Sequence, residues 1–159
     1  MTAAPHFPDD VPPPPPVHQY MARAVANALE TNAPDDVFVN GRTSVMTSAG
    51  TELIPDVTVL RLDRADRTPA FPEDVLLVIE VGSSGSRGKD YSEAGIPLYW
   101  VIDPLPGRVT FTGFELGADG AYRRGRTHVG LVSRERPWPV LLDLDAWTAR
   151  RDQVRSRGR

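Results

Sequence analysis

The chain has 159 residues, 40% hydrophobic and 25% charged, which suits one globular domain with a sizeable core. It has no cysteine, which excludes disulfides and thiol chemistry, and no apolar run near the ~18 residues a membrane helix needs. The formal net charge of −3 divides unevenly: residues 1–103 carry 15 acidic and 7 basic side chains, residues 104–159 carry 6 and 11. Crowded carboxylates in the first part suit a cation site, and the later arginines suit phosphates or a solvated surface. The N-terminus lacks the basic and apolar regions of a secretory signal, so the expectation is a cytoplasmic protein.

Residues 1–16 hold seven prolines, including the run Pro12 to Pro16, and read as an extended polyproline-like arm. From Val17 the pattern turns helical, with Tyr20, Met21, Ala24, Val25, Ala28 and Leu29 on one face, until Asn32, Pro34 and Asp35 end it. His18 and Glu30 lie off that stripe and read as surface. Runs of β-branched and aromatic residues then predict strands near 37–40, 43–47, 54–61, 75–82, 98–103, 108–116, 127–133 and 139–143. A second helix is expected over 86–94, closed by Gly95 and Pro97. The domain is placed at 17–149, followed by a frayed basic tail over 150–159. This order predicts an α/β (α+β) fold, a mixed β-sheet flanked by an N-terminal helix and a short central helix.

Within VLLVIEV, Glu80 is the lone charge in a run that should be buried, and buried charges are paired or bind metal. Asp56 follows Pro55 at the head of the preceding apolar strand. If strands 54–61 and 75–82 are antiparallel neighbours with Arg61 opposite Val75, Asp56 falls directly opposite Glu80 on the same face. Their Cβ atoms are then roughly 4.5–5.5 Å apart, and two like charges so close need compensation. A divalent cation with oxygen ligands supplies it. Lys89, the only lysine in the chain, follows and could help activate water. The competing reading is an ion pair of Glu80 with an arginine such as Arg87.

The segments IPDVTVL, VLLVIEVGSSGS and YSEAGIPLYWVIDP resemble the Uma2 restriction endonuclease family of the PD-(D/E)xK nuclease superfamily. The opening VHQYMARAVANALE resembles its first core helix, and PVLLDLDAW its closing strand and helix; the likeness spans about 12–147. The resemblance implies a restriction-endonuclease-like core and a Mg²⁺- or Mn²⁺-dependent endonuclease acting on DNA. It implies Asp56 and Glu80 as metal ligands, the Val81 carbonyl as a third, and Lys89 as the catalytic cation. Lys89 stands two residues before Tyr91, and the position one helical turn before Tyr91 holds Arg87. Two residues are ~200° of helix rotation, so Lys89 and Arg87 are alternatives for that role.

Other signals are weaker. Asp143 and Asp145 read as a helix cap or surface pair, and Ser83, Ser84 and Ser86 as turn and cap residues without a partner histidine. His6, His18 and His128 lack metal-ligand spacing. Of Tyr99 and Trp100, one is expected in the core and one at a site rim. Two function classes follow: a metal-dependent endonuclease, or a catalytically degenerate nuclease-fold module that binds metal or a partner. A homodimer fits an enzyme that cuts both strands of DNA.

Overall fold

In the computed structural model, which describes residues 14–47, 49–82 and 87–159, helix α1 (Pro16–Thr31) buries Met21, Val25 and Leu29 completely. These residues recur every four positions, so they form one stripe against the sheet. The helix begins one residue earlier than expected, because Pro16 occupies the first turn, where its missing N–H leaves no bond unmade. The rest of the proline arm, through Pro13, lies outside the described residues. So do Ser83, Ser84 and Ser86.

Strands β1 (Val37–Asn40), β2 (Val45–Met46), β3 (Glu52–Leu53), β4 (Val57–Arg61) and β5 (Val75–Val81) precede helix α2 (Gly88–Glu93). Strands β6 (Leu98–Asp103), β7 (Thr110–Leu116), β8 (Tyr122–His128), β9 (Leu131–Arg134) and β10 (Val140–Asp143) lead into helix α3 (Leu144–Arg157). A six-stranded sheet runs β1-β4-β5-β6-β7-β8, with β5 and β6 parallel and the other pairs antiparallel. The parallel pair needs a crossover, which the segment containing α2 provides. The expected mixed α/β architecture is therefore the observed one.

Alternation along β5 and β6 sorts the core into two layers. Leu77, Ile79 and Val81 with Leu98, Trp100 and Ile102 face α1 and the β9–β10 hairpin. Val78, Tyr99 and Val101 face α2 and the β2–β3 hairpin, with Tyr91 and Ile96. Tyr99 and Trp100 are thus both core residues, on opposite faces, and neither lines an open rim. The buried Trp138 indole donates to the Leu29 carbonyl at 3.0 Å, closing the end of α1 against the loop before β10.

Two expectations are corrected. The strand placed at 127–133 straddles a turn at Gly130 (φ 80°), with β8 ending before it and β9 beginning after. Residues 150–159 are not a frayed tail: α3 continues to Arg157 and buries Arg151, which is 2% exposed. The Arg151 guanidinium donates to the carbonyls of Pro104, Pro106 and Gly107 at 2.8, 2.6 and 2.6 Å. It thereby satisfies the loop between β6 and β7. Asp143 caps α3 by accepting from the Ala146 amide at 3.1 Å, one of the roles the sequence suggested, and Asp145 pairs with Arg108.

Because the Pro106 and Gly107 carbonyls lose their Arg151 donor, while Pro104 keeps Arg155 at 3.2 Å, Arg151→Met is expected to destabilise the fold by about 2–4 kcal/mol. Urea denaturation measures this, and an unchanged midpoint contradicts the role.

Candidate active site

The site lies where β4 begins and β5 ends. Val57 pairs with Ile79, Thr58 with Val78 and Val59 with Leu77, so the next position outward sets Asp56 opposite Glu80. The expected anchor differs, since a bulge after Val59 pairs Leu60 with Val75 and leaves Arg61 beyond the ladder. The register at the functional end is unaffected. Asp56 itself stands just outside the strand, and its Oδ2 accepts the Val81 amide at 2.8 Å, taking the place of a ladder carbonyl. Gly82 donates to Ile102 at 2.8 Å on the β6 side, so alternation turns the Val81 backbone toward Asp56.

The two carboxyls are driven apart electrostatically. Burial alone would raise Asp56, but His18 and the Val81 amide outweigh it and hold Asp56 below the usual carboxylate range. Burial pushes Glu80 up to about 7, helped by the negative charge of Asp56 and opposed by Tyr91 and Arg87. Around neutral pH the pair holds one firm negative charge and one proton in balance.

Helix α2 supplies the other groups. The Tyr91 hydroxyl donates to Glu80 Oε1 at 2.5 Å, and burial holds that phenol far above its ordinary value, so it stays a donor. Arg87 Nη1 lies 3.5 Å from the same oxygen. Arg87 precedes Tyr91 by four residues, and the Tyr91 amide donates to the Arg87 carbonyl at 3.1 Å, so both present one face. Gly95, with φ 82°, ends the helix and lets the Ile96 amide reach back to the Tyr91 carbonyl at 3.1 Å.

Lys89 points elsewhere. It lies 84% exposed, with Nζ 3.8 Å from Glu93 on the outer face of α2. The structure therefore brings Asp56, Glu80 and the Val81 backbone together, but not Lys89. The cation at the carboxylates is Arg87, and the rotation of about 200° between positions two apart is the reason.

Two residues near the site were given no role in it by the sequence, and a third, Tyr99, was read as core or rim. His18 comes from α1 and places Nε2 3.1 Å from Asp56 Oδ1, with the ring N–H off the line of a hydrogen bond. Tyr91 was read only as a landmark, although its place one turn after Arg87 signalled a shared face. Tyr99 stacks on Phe114 at 5.1 Å, and its buried hydroxyl has no hydrogen-bond partner among the described residues.

Among the described residues no group of three or more His, Asp or Glu side chains is placed to hold a metal ion. Two carboxylates and one carbonyl nonetheless make a hard oxygen donor set, which suits Mg²⁺, an ion that keeps several of its waters. Asp56 and Glu80 face each other across the strand ends, so a cation between them would offset their mutual repulsion, and the residues present fit the ion.

A mixed sheet with an acidic pair at adjoining strand ends and a cation from the next helix defines a restriction-endonuclease-like nuclease domain. The chain belongs to the Uma2 family: the family model described as "Uma2: Putative restriction endonuclease" matches residues 9–147. A similar solved structure is described as "a putative nuclease belonging to DUF820" from Anabaena variabilis ATCC 29413. It shares the fold at a TM-score of 0.57 and 15% identity, covering 87% of this chain and 83% of that one. No curated protein matches the chain. No helix of the described residues is long and apolar enough to cross a membrane.

Glu80 is expected to titrate near pH 7, and Tyr91→Phe, which removes a donor to its ionised form, should move the midpoint upward. Carboxyl ¹³C NMR reads both values. Since the folded value exceeds the ordinary glutamate value of 4.5, Glu80 stabilises the fold most below about 4.5 and progressively less up to about 7. Glu80→Gln should therefore gain more stability relative to wild type at pH 8 than at pH 5, as denaturation midpoints will show.

Proposed function

We propose that the protein is a metal-dependent endonuclease hydrolysing DNA phosphodiester bonds, with Arg87 as the cation of the site. The observation that carries this reading is the convergence of Asp56, Glu80 and Arg87 at one pair of strand ends, on a chain of the Uma2 family. Asp56, Glu80 and the Val81 carbonyl would hold Mg²⁺ or Mn²⁺. When bound, the ion acts as a Lewis acid and lowers the pKa of a coordinated water.

The residues contribute as follows. Asp56 stays ionised across the neutral range because His18 and the Val81 amide stabilise its charge. Tyr91 fixes the Glu80 carboxyl, leaving Oε2 free of any described hydrogen bond. Arg87, only half exposed, can turn from Glu80 to a phosphoryl oxygen and offset the charge that develops as the bond breaks. A guanidinium remains protonated, so Arg87 clamps and neutralises but does not carry a proton. These distances support Arg87 over Lys89 in this role.

A second reading is a nuclease-fold module that binds metal or a partner without turnover. The same Arg87–Glu80 contact favours it, because the pair is already partly neutralised without a metal.

Plasmid nicking with Mg²⁺ or Mn²⁺ separates these. Asp56→Ala and Glu80→Ala should abolish cleavage, Arg87→Ala should slow it by roughly 10²–10³, and Lys89→Ala should leave it unchanged. Undiminished cleavage by both carboxylate variants would falsify the assignment. Wild type that is silent on plasmid and on a single-stranded circle alike, yet still binds Mn²⁺ by calorimetry, supports the module. Metal binding displaces the Glu80 proton, so apparent Mg²⁺ affinity should rise with pH up to about 7 and level off above it.

A further inference from the structure

A cavity of about 480 Å³ opens on the α1 side of Asp56, between α1, the turn after β1, and the start of β4. Its floor is apolar, built from Ala22 and Ala26, one turn apart on α1, and from Val57. The small alanines are what leave the space open. Arg23 and Arg42 also line the cavity, and Asp56 forms its inner wall, shared with the carboxylate pair.

Residues 1–103 have a net charge of −8, from 15 acidic and 7 basic side chains. Among the described residues, Arg61, Arg64, Arg87 and Lys89 stand in ion pairs with Asp63, Asp74, Glu80 and Glu93. Arg23, Arg42 and Arg67 stand in none among the described residues, and of these three Arg23 and Arg42 line the cavity. Two guanidiniums with no ion-pair partner among the described residues, beside an apolar floor, match an anion attached to a flat apolar body. A nucleotide has that chemistry, with phosphate for the arginines and base faces for the floor.

We propose that this cavity is a subsite for an unpaired nucleotide of the substrate strand, next to the phosphate that reaches Asp56 and Glu80. The proposal rests on the nuclease reading and narrows its substrate class. A base in a duplex is stacked on both faces and paired at its edge, so it has nothing to offer an apolar floor until it is extruded. A single strand or an unpaired end presents its base freely, and its stacking on a protein surface is sequence-tolerant. The enzyme therefore selects nucleic acid that is single-stranded beside the scissile bond.

Fluorescence anisotropy in Ca²⁺ tests this, using a labelled oligo-dT strand and a blunt hairpin duplex of equal charge, with strand integrity checked on a gel. Wild type should prefer the single strand. Arg23→Ala/Arg42→Ala should weaken that binding roughly 10-fold and lower the magnitude of the log–log salt slope by about 1. Ala22→Trp, which fills the cavity, should lose the preference while duplex binding stays at its wild-type value. Both variants are compared by thermal melts, and the arginine pair is surface-exposed, so it keeps the test valid if the tryptophan disturbs folding. Single-strand binding unchanged in the variants, or lost equally with duplex binding, overturns the subsite and leaves the nuclease reading standing. Wild type that neither binds nor cleaves either form overturns both.

Discussion

The antiparallel register between β4 and β5 is the constraint on which the rest of this site depends. It sets Val57 against Ile79 and so delivers Asp56 and Glu80 to one place, where their like charges would otherwise repel. The strain is relieved on both sides rather than shared equally. Asp56 receives the Val81 amide and His18, while Glu80 receives a hydroxyl and a guanidinium. One carboxyl is kept charged and the other is held near its midpoint at neutral pH. The bulge after Val59 absorbs the length mismatch further down the ladder, away from the carboxylates.

Three elements converge on that strand end for separate reasons. Helix α1 is fixed by its buried stripe and by Trp138, and His18 in its first turns is thereby carried to Asp56. Helix α2 is too short to be stable alone. It is held by Tyr91 in the core layer and by the left-handed Gly95 at its end. The same tyrosine that anchors α2 by packing also bonds Glu80, so the placement of Arg87 is coupled to the fold rather than to a flexible loop. Lys89, on the opposite face, meets Glu93 among the described residues.

The basic second half of the chain divides by use. Arg151 is a structural donor, Arg108 and Arg136 pair with Asp145 and Glu115, and Arg134 lies over the Phe111 ring at 5.3 Å. Arg123, Arg124 and Arg126 remain exposed along β8, the edge of the sheet. Charges there discourage pairing with another chain's strand.

What the sequence determined by itself was whatever is encoded in local period and composition. The stripe of α1, the strands at 37–40 and 98–103, and the Gly95 stop were legible because the hydrophobic alternation or the backbone requirement is local. The facing of Asp56 and Glu80 was legible too, since antiparallel pairing reduces a distant contact to counting. Strand β8 was not, because an exposed edge strand of arginines has no hydrophobic alternation and owes its form to the hairpin with β7. The helix through Arg157 was not, because Arg151 finds its three carbonyls across the fold, on the loop after β6. His18 was passed over for the same reason: its partner lies on another element, and only the packing of α1 against the sheet brings them together. Between Arg87 and Lys89 the sequence offered two cations two residues apart. The rotation of α2, set by Tyr91 in the core, chose the arginine.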